Sequence, residues 1–116
     1  MKIALVLDCA DPDRLAEFWS AALAYDTRRL TEQYTMLVPT DGAAPRILLQ
    51  KVPEPKTVKN RLHIDLDVSD IDAEAARVES LGATRVSDVM TMGPARWIVM
   101  NDPEGNEFCV CLDLGL

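Results

Sequence analysis

The chain has 116 residues, of which 48% are hydrophobic and 27% charged, and its formal net charge is −7. A chain of this length forms one domain and buries about 65% of its unfolded surface, so it needs neither disulfides nor a metal ion to fold. The negative charge argues against nucleic acid or an anionic membrane as a partner. The apolar run at the start is too short for a signal peptide or a membrane span. Three cysteines, an odd number, fit the reduced thiols of a cytoplasmic protein better than a disulfide framework.

Part of the sequence occurs twice. Residues 5–19 and 64–78 both run from a strand pattern into a helix that begins at an aspartate, and Asp11 of the first copy corresponds to Asp70 of the second. The shift of 59 residues is about half the chain. The sequence therefore predicts two copies of one small module that together build a cleft.

The first module, residues 1–51, is predicted to contain one helix and four strands. Residues 2–9 form an apolar strand-like run. Asp11 then caps a helix whose first position is Pro12, where a missing N–H costs nothing. The apolar face of this helix is expected to contain Leu15, Phe18, Trp19, Ala22 and Leu23. Three more strands are predicted near 27–31, 34–39 and 46–51.

A linker is predicted at 52–61, followed by a second module at 62–116. The second module opens with an alternation that places His63, Asp65 and Asp67 on one face of a strand and apolar residues on the other. A helix is expected to begin near Asp70 and to end at Gly82. Later strands are predicted near 83–87, 95–100 and 106–112. Each module thus has the order β-α-β-β-β, which makes the fold class α+β.

Several motifs resemble the vicinal oxygen chelate superfamily, the group of glyoxalase I, ring-cleaving dioxygenases and bleomycin-resistance proteins. The motifs are Leu-Asp-Cys-Ala-Asp-Pro at 7–12, Phe-Trp at 18–19, His-Ile-Asp-Leu-Asp-Val at 63–68, Leu-Gly-Ala at 81–83 and Asn-Asp-Pro-Glu-Gly-Asn at 101–106. The resemblance implies a single glyoxalase-like domain over 1–116, in which two βαβββ modules form a cup-shaped mixed sheet with helices on the convex side. It is closest to the small glyoxalase-like proteins, a branch with few assigned activities. One departure is Ala24, where the family usually has glycine. The simpler alternative is a ferredoxin-like sandwich without a cavity.

The resemblance also implies where a metal ion would bind. Metal-dependent members hold one divalent ion with four side chains, and the corresponding positions here are Ala4, Gln50, His63 and Cys109, with Gln50 assigned from Cys109 by the shift of 59. Alanine cannot ligate, and Mg²⁺ or Mn²⁺ prefers oxygen ligands. Zinc would find only two strong ligands in this set. We therefore favour no cofactor, and the open alternative is a divalent metal ion held by His63, Gln50 and Glu107.

A ligand pocket is predicted from five residues, which are His63, Gln50, Glu107, Cys109 and Trp97. His63 is the only histidine and is interpreted as a hydrogen-bonding group of the pocket. Trp97 is the best candidate for stacking on a flat ligand, and its alternative is a place in the core. Cys109 has apolar neighbours, so a buried inert thiol is the simpler interpretation. No catalytic residue is assigned.

Three functions follow as hypotheses. The first is a metal-free protein that sequesters or senses an apolar or aromatic small molecule. The second is a metal-dependent lyase, isomerase or dioxygenase of the glyoxalase type, with His63 as a ligand and Glu107 as a base or substitute ligand. The third is a dimeric domain without a ligand. The expected partners are a small molecule and a second copy of the chain, and neither nucleic acid nor a membrane.

Overall fold

The computed structural model describes all 116 residues. The chain folds into two compact units, residues 1–56 and 57–116, and the boundary lies inside the predicted linker. Each unit has one helix and its own mixed sheet, which confirms the α+β fold class. Neither helix is long and apolar enough to cross a bilayer.

The first unit follows the predicted order β-α-β-β-β. Its elements are β1 (Ala4–Cys9), α1 (Pro12–Leu23), β2 (Tyr25–Arg29), β3 (Tyr34–Pro39) and β4 (Arg46–Lys51). The strands are ordered β1-β4-β3-β2, and β1 runs parallel to β4 while the other neighbours are antiparallel. The observed strands begin and end within two residues of the predicted bounds.

The helix α1 begins as predicted. The Asp11 carboxylate accepts a hydrogen bond of 3.2 Å from the backbone N–H of Arg14, and Pro12 occupies the first turn. The helix packs on β2, β3 and β4. Its buried residues are Pro12, Leu15, Ala16, Phe18, Trp19 and Ala22. Burial of each large apolar side chain contributes about 2 kcal/mol, so this face holds the helix on the sheet.

The second unit repeats the plan with a divided edge strand. Its elements are β5 (Ile64–Val68), α2 (Ile71–Leu81), β6 (Thr84–Arg85), β7 (Met90–Met92), β8 (Ala95–Asn101) and β9 (Glu107–Leu112). The order is β5-β9-β8-β6, with β5 parallel to β9, and β7 also pairs with β8. The prediction of one strand at 83–87 is wrong in this respect, because the edge consists of two short strands. The strand β7 has only three residues, too few to show an alternation in the sequence.

The turn between β8 and β9 is held by a buried carboxylate. Asp102 is 3% exposed, and its Oδ1 accepts hydrogen bonds from the backbone N–H of Glu104 at 2.9 Å and of Asn106 at 3.0 Å. The Asn106 amide donates to both carboxylate oxygens, at 3.1 and 2.9 Å. Gly105 takes φ +82°, which glycine adopts without a steric penalty. Because the buried charge is hydrogen-bonded, it stabilises the turn and fixes the register of the two strands.

The helix α1 ends in an unusual conformation. Ala24 has φ 56° and ψ 43°, and it is the only residue other than glycine with a positive φ. The helix α2 ends at Gly82, with φ 121°. Residue 24 is therefore alanine where the family usually has glycine, although its backbone has the left-handed conformation that favours glycine. A left-handed conformation costs a residue with a Cβ roughly 1 kcal/mol.

We expect Ala24→Gly to raise the free energy of unfolding by about 1 kcal/mol, because glycine adopts the left-handed conformation without strain. The melting temperature should rise by roughly 4 °C. The matched control is Gly82→Ala, which introduces a Cβ at the other helix end and should lower stability. Urea and thermal unfolding monitored by circular dichroism measure both. A less stable Ala24→Gly variant would contradict the left-handed helix end.

Candidate functional site

A cavity of about 570 Å³ lies in the second unit. Its floor consists mainly of alternate residues of β5, β8 and β9, whereas Ile98 and Met100 on β8 and Phe108 and Val110 on β9, which lie between them, are fully buried. The helix α2 packs on β8 and β9. Since neighbouring side chains of a strand point to opposite faces, the cavity lies on the face of the sheet away from α2. Its volume falls within the range of roughly 300–1,000 Å³ that is typical of small-molecule sites.

The strand register arranges the floor in rows. Asp65 on β5 is opposite Cys109 on β9, which in turn is opposite Val99 on β8. The next row consists of Asp67, Cys111 and Trp97. Each row therefore runs from a carboxylate through a thiol to an apolar or aromatic side chain. One side of the floor is acidic and the other is apolar.

His63 directly precedes β5 and is paired with Asp65. The distance from His63 Nε2 to Asp65 Oδ1 is 3.1 Å, and the imidazole is 37% exposed. The carboxylate thus orients the ring toward the cavity that both residues line. Glu107 also lines the cavity, and its Oε2 accepts a hydrogen bond of 2.9 Å from the backbone N–H of Asn60. Glu107 therefore anchors the segment that leads into β5.

The two thiols of the floor are poor nucleophiles. Burial raises the pKa of Cys109, and the Asp65 carboxylate raises it further, while Lys59 acts in the opposite direction. Burial, together with the nearby groups Asp65, Cys109 and Asp67 and a hydrogen bond to Asp65, raises the pKa of Cys111 to about 12. Both thiols are protonated at neutral pH, and the thiol is far less reactive than the thiolate. This agrees with the interpretation of Cys109 as an inert buried thiol.

Four of the five predicted pocket residues line this cavity. They are His63, Trp97, Glu107 and Cys109. Trp97 is partly buried and faces the cavity, so it is not a residue of the core. Gln50 lies on β4 of the first unit, where it is paired with Asp8 and Tyr34. Its place in a ligand pocket stays a prediction.

The assignment of Gln50 as the counterpart of Cys109 is wrong. Asp65 pairs with Cys109 in the second unit, and Val6 pairs with Leu48 in the first. Asp65 and Val6 are 59 residues apart, whereas Cys109 and Leu48 are 61 apart. Two extra residues therefore lie between the helix start and the last strand of the second unit. The residue that corresponds to Cys109 is Leu48.

The predicted pocket did not include Asp65, nor Asp67 and Cys111, all of which line the cavity. The ligand atoms of His63, Asp65 and Cys109 all lie within 4.8 Å of one another. Alternation along β5 places Asp65 on the same face of the strand as His63. This pattern alone was enough to identify Asp65 as a pocket residue, but the prediction did not use it. Its contact with Cys109 depends on the pairing of strands about 40 residues apart in the sequence, which local patterns do not reveal.

Solved structures with the same fold cover nearly the whole chain. A glyoxalase/bleomycin resistance protein/dioxygenase family enzyme from Burkholderia phytofirmans PsJN is 17% identical, with a TM-score of 0.77 over 96% of this chain and 97% of that one. A member of the same superfamily from Sphaerobacter thermophilus DSM 20745 is 18% identical, with a TM-score of 0.73 over 97% of each chain. TioX from Micromonospora sp. ML1 is 20% identical, with a TM-score of 0.67 over 98% of this chain and 99% of that one. These similarities show a glyoxalase/bleomycin-resistance fold and not the ferredoxin-like alternative.

The family follows from the sequence itself. The model of the Glyoxalase-like domain family matches residues 4–111. The chain belongs to this family, and so to the vicinal oxygen chelate superfamily. Among curated proteins, none matches the chain significantly.

The four-ligand metal site implied by the superfamily does not fit these residues. With the observed register, the positions in the first unit are occupied by Ala4 and Leu48. Neither side chain has an atom that can bind a metal ion. The corresponding positions in the second unit are His63 and Cys109. The chain thus retains at most half of the expected ligands.

A smaller donor set exists within the second unit. The cluster of His63, Asp65 and Cys109 offers a nitrogen, an oxygen and a sulfur atom within 4.8 Å of one another. A mixed set of three protein ligands suits zinc with one open position, and it does not suit Mg²⁺. Of the predicted metal candidates, only His63 belongs to this cluster. Gln50 and Glu107 are not members of it.

We expect Asp65→Asn to accelerate alkylation of Cys111, because loss of the carboxylate and its hydrogen bond lowers the pKa of the thiol. Each unit by which the pKa falls should raise the thiolate fraction about tenfold at a fixed pH below the pKa. Iodoacetamide labelling followed by mass spectrometry, at several pH values from 7 to 10, measures the rate at each cysteine. The control is Asp72→Asn on α2, which removes a charge outside the cavity. Rapid labelling of Cys111 at neutral pH in the unmodified protein would contradict the raised pKa of its thiol.

Proposed function

We propose that this protein binds a flat apolar or aromatic small molecule in the cavity of the second unit, without a metal ion, and that it sequesters or senses the compound. The observation that supports this most directly is the cavity of about 570 Å³ between Trp97 and Val99 on one side and the His63–Asp65 pair on the other. Apolar walls provide affinity, and a few polar groups set the orientation of the ligand. The indole offers a face for stacking.

The chemistry of the cavity favours binding over catalysis. Its two thiols are held protonated, and the single histidine is already paired with a carboxylate. Covalent catalysis needs an activated nucleophile, which neither Cys109 nor Cys111 provides. The proposal includes a homodimer in the cytoplasm. Members of the superfamily often dimerise, and three cysteines, an odd number, fit a reducing compartment.

Binding should perturb Trp97 and leave Trp19 unchanged. Trp19 is 1% exposed in the core of the first unit, so its indole N–H signal is an internal reference. We expect a flat bicyclic aromatic compound to shift the Trp97 indole cross-peak saturably in a ¹H–¹⁵N correlation spectrum. Trp97→Leu should weaken binding about fivefold or more, because stacking contributes roughly 1 kcal/mol beyond area burial.

Met92→Ala is the matched control for Trp97→Leu. Met92 lies on β7, is 73% exposed, and does not line the cavity. The affinity of this variant should equal that of the unmodified protein, measured by isothermal titration calorimetry. If no aromatic compound of a broad panel moves the Trp97 signal, the binding proposal fails.

A metal-dependent enzyme of the glyoxalase type is the second candidate. The observation in its favour is the cluster of His63, Asp65 and Cys109. These residues would hold a zinc-like ion, which would supply Lewis-acid polarisation of a substrate oxygen. In that case Asp65 would bind the ion and would no longer orient the ring of His63 through their present contact.

Metal analysis separates the two candidates. We expect the purified full-length protein to contain no stoichiometric zinc, cobalt, nickel or iron after dialysis, since half of the superfamily ligands are replaced by apolar residues. Added Co²⁺ should then produce no sulfur-to-cobalt charge-transfer band. Stoichiometric zinc that resists EDTA, or a cobalt band that Cys109→Ser removes and Cys9→Ser keeps, would favour the enzyme.

A further inference from the structure

We propose that the compound bound in the second unit is an organic cation, a flat apolar body that carries a protonated amine, with the amine at Asp67 and the body over Trp97. This inference rests on the binding function proposed above and names the chemical class of its ligand. Two observations support this inference: the order of the side chains in one row of the sheet, and the charges of the residues around that row.

The row has the dimensions of such a ligand. Asp67 is paired with Cys111, and Cys111 is paired with Trp97. Neighbouring strands lie about 4.8 Å apart, so the backbone positions of Asp67 and Trp97 are roughly 10 Å apart. A bicyclic aromatic ring system that carries an aminomethyl group spans this distance. Its rings would lie over the thiol and the indole, and its ammonium group would meet the carboxylate.

The charge that lines the cavity is negative. Four acidic side chains line it, namely Asp65, Asp67, Glu107 and Asp113, against the basic pair Lys59 and Arg96. Asp67 forms no salt bridge with either basic residue, whereas Asp65 is paired with His63 and Glu107 with the backbone of Asn60. Asp113 accepts a hydrogen bond of 2.8 Å from the backbone N–H of Gly115. Asp67 is therefore the carboxylate that is available to a ligand.

The carboxylates set the charge on the β5 side of this row. Asp67 lies directly opposite Cys111, and Asp65 lies in the adjacent row of the same floor. Two carboxylates on one side of the floor oppose entry of an anionic group and attract a cation. The basic residues Lys59 and Arg96 also line the cavity, but neither forms a salt bridge with Asp67.

Three probes with the same ring system and different head groups test this inference. They are 2-naphthylmethylamine, 2-naphthalenemethanol and 2-naphthoate, which are cationic, neutral and anionic at pH 7. Each is titrated into the full-length protein with EDTA present, so that a metal ion does not contribute. The readouts are calorimetry and the Trp97 indole cross-peak. We expect the amine to bind at least about tenfold more tightly than the carboxylate, and to lose this advantage at high salt.

The variant Asp67→Asn removes the charge while it keeps the shape of the side chain. We expect it to weaken binding of the amine about fivefold and to leave binding of the alcohol unchanged, because only the amine forms an ion pair with the exposed carboxylate. Asp72→Asn, on the first turn of α2 and outside the cavity, should change neither affinity.

The outcomes separate this inference from the binding function. Equal binding of all three probes would overturn the cation preference and keep the aromatic pocket. Tighter binding of the carboxylate, or an amine affinity that Asp67→Asn leaves unchanged, would also overturn it. If no probe shifts the Trp97 signal, the binding function and this inference fail together.

Discussion

The parallel pairing of β5 with β9 is the constraint on which the site depends. Side chains alternate along both strands, so the register places Asp65 beside Cys109 and Asp67 beside Cys111. Parallel neighbours require a crossover connection, and α2 lies within it and packs on one face of the sheet. The polar side chains of β5 are left on the opposite face. A shift of the strand register by one residue would turn both carboxylates toward the core and expose the apolar residues that alternate with them on β5. Burial of these apolar residues therefore fixes the register.

The features that could be predicted from sequence are those encoded by neighbouring residues. Asp11 and Asp70 were predicted to cap the helices because a cap is defined within four residues of chain, and the structure places both there. The sequence left Trp97 open between the pocket and the core, and the structure places it at the cavity. Of the two short edge strands of the second unit, β6 lies within the strand predicted at 83–87. The strand β7 was not predicted, because a stretch of three residues carries no recognisable period.

The features that could not be predicted depend on pairing between distant strands. A single shift of 59 residues does not identify the counterpart of Cys109, because the second unit has two extra residues before its last strand. The observed equivalents in the first unit are apolar: Ala4 for His63, Val6 for Asp65 and Leu48 for Cys109. The cluster of His63, Asp65 and Cys109 is thus present in only one of the two copies of the scaffold.

The hydrogen-bonded turn at Asp102 would also affect the thermodynamics of the proposed binding. It fixes the pairing of β8 with β9, so the entropy of ordering Trp97 would be lost during folding and not when the proposed ligand binds. Residues 113–116 differ, since they form no helix or strand, and Leu114 and Leu116 line the cavity while they remain exposed. For the ligand proposed above, the cavity would combine a wall that is held by strand pairing with a rim that strand pairing does not hold.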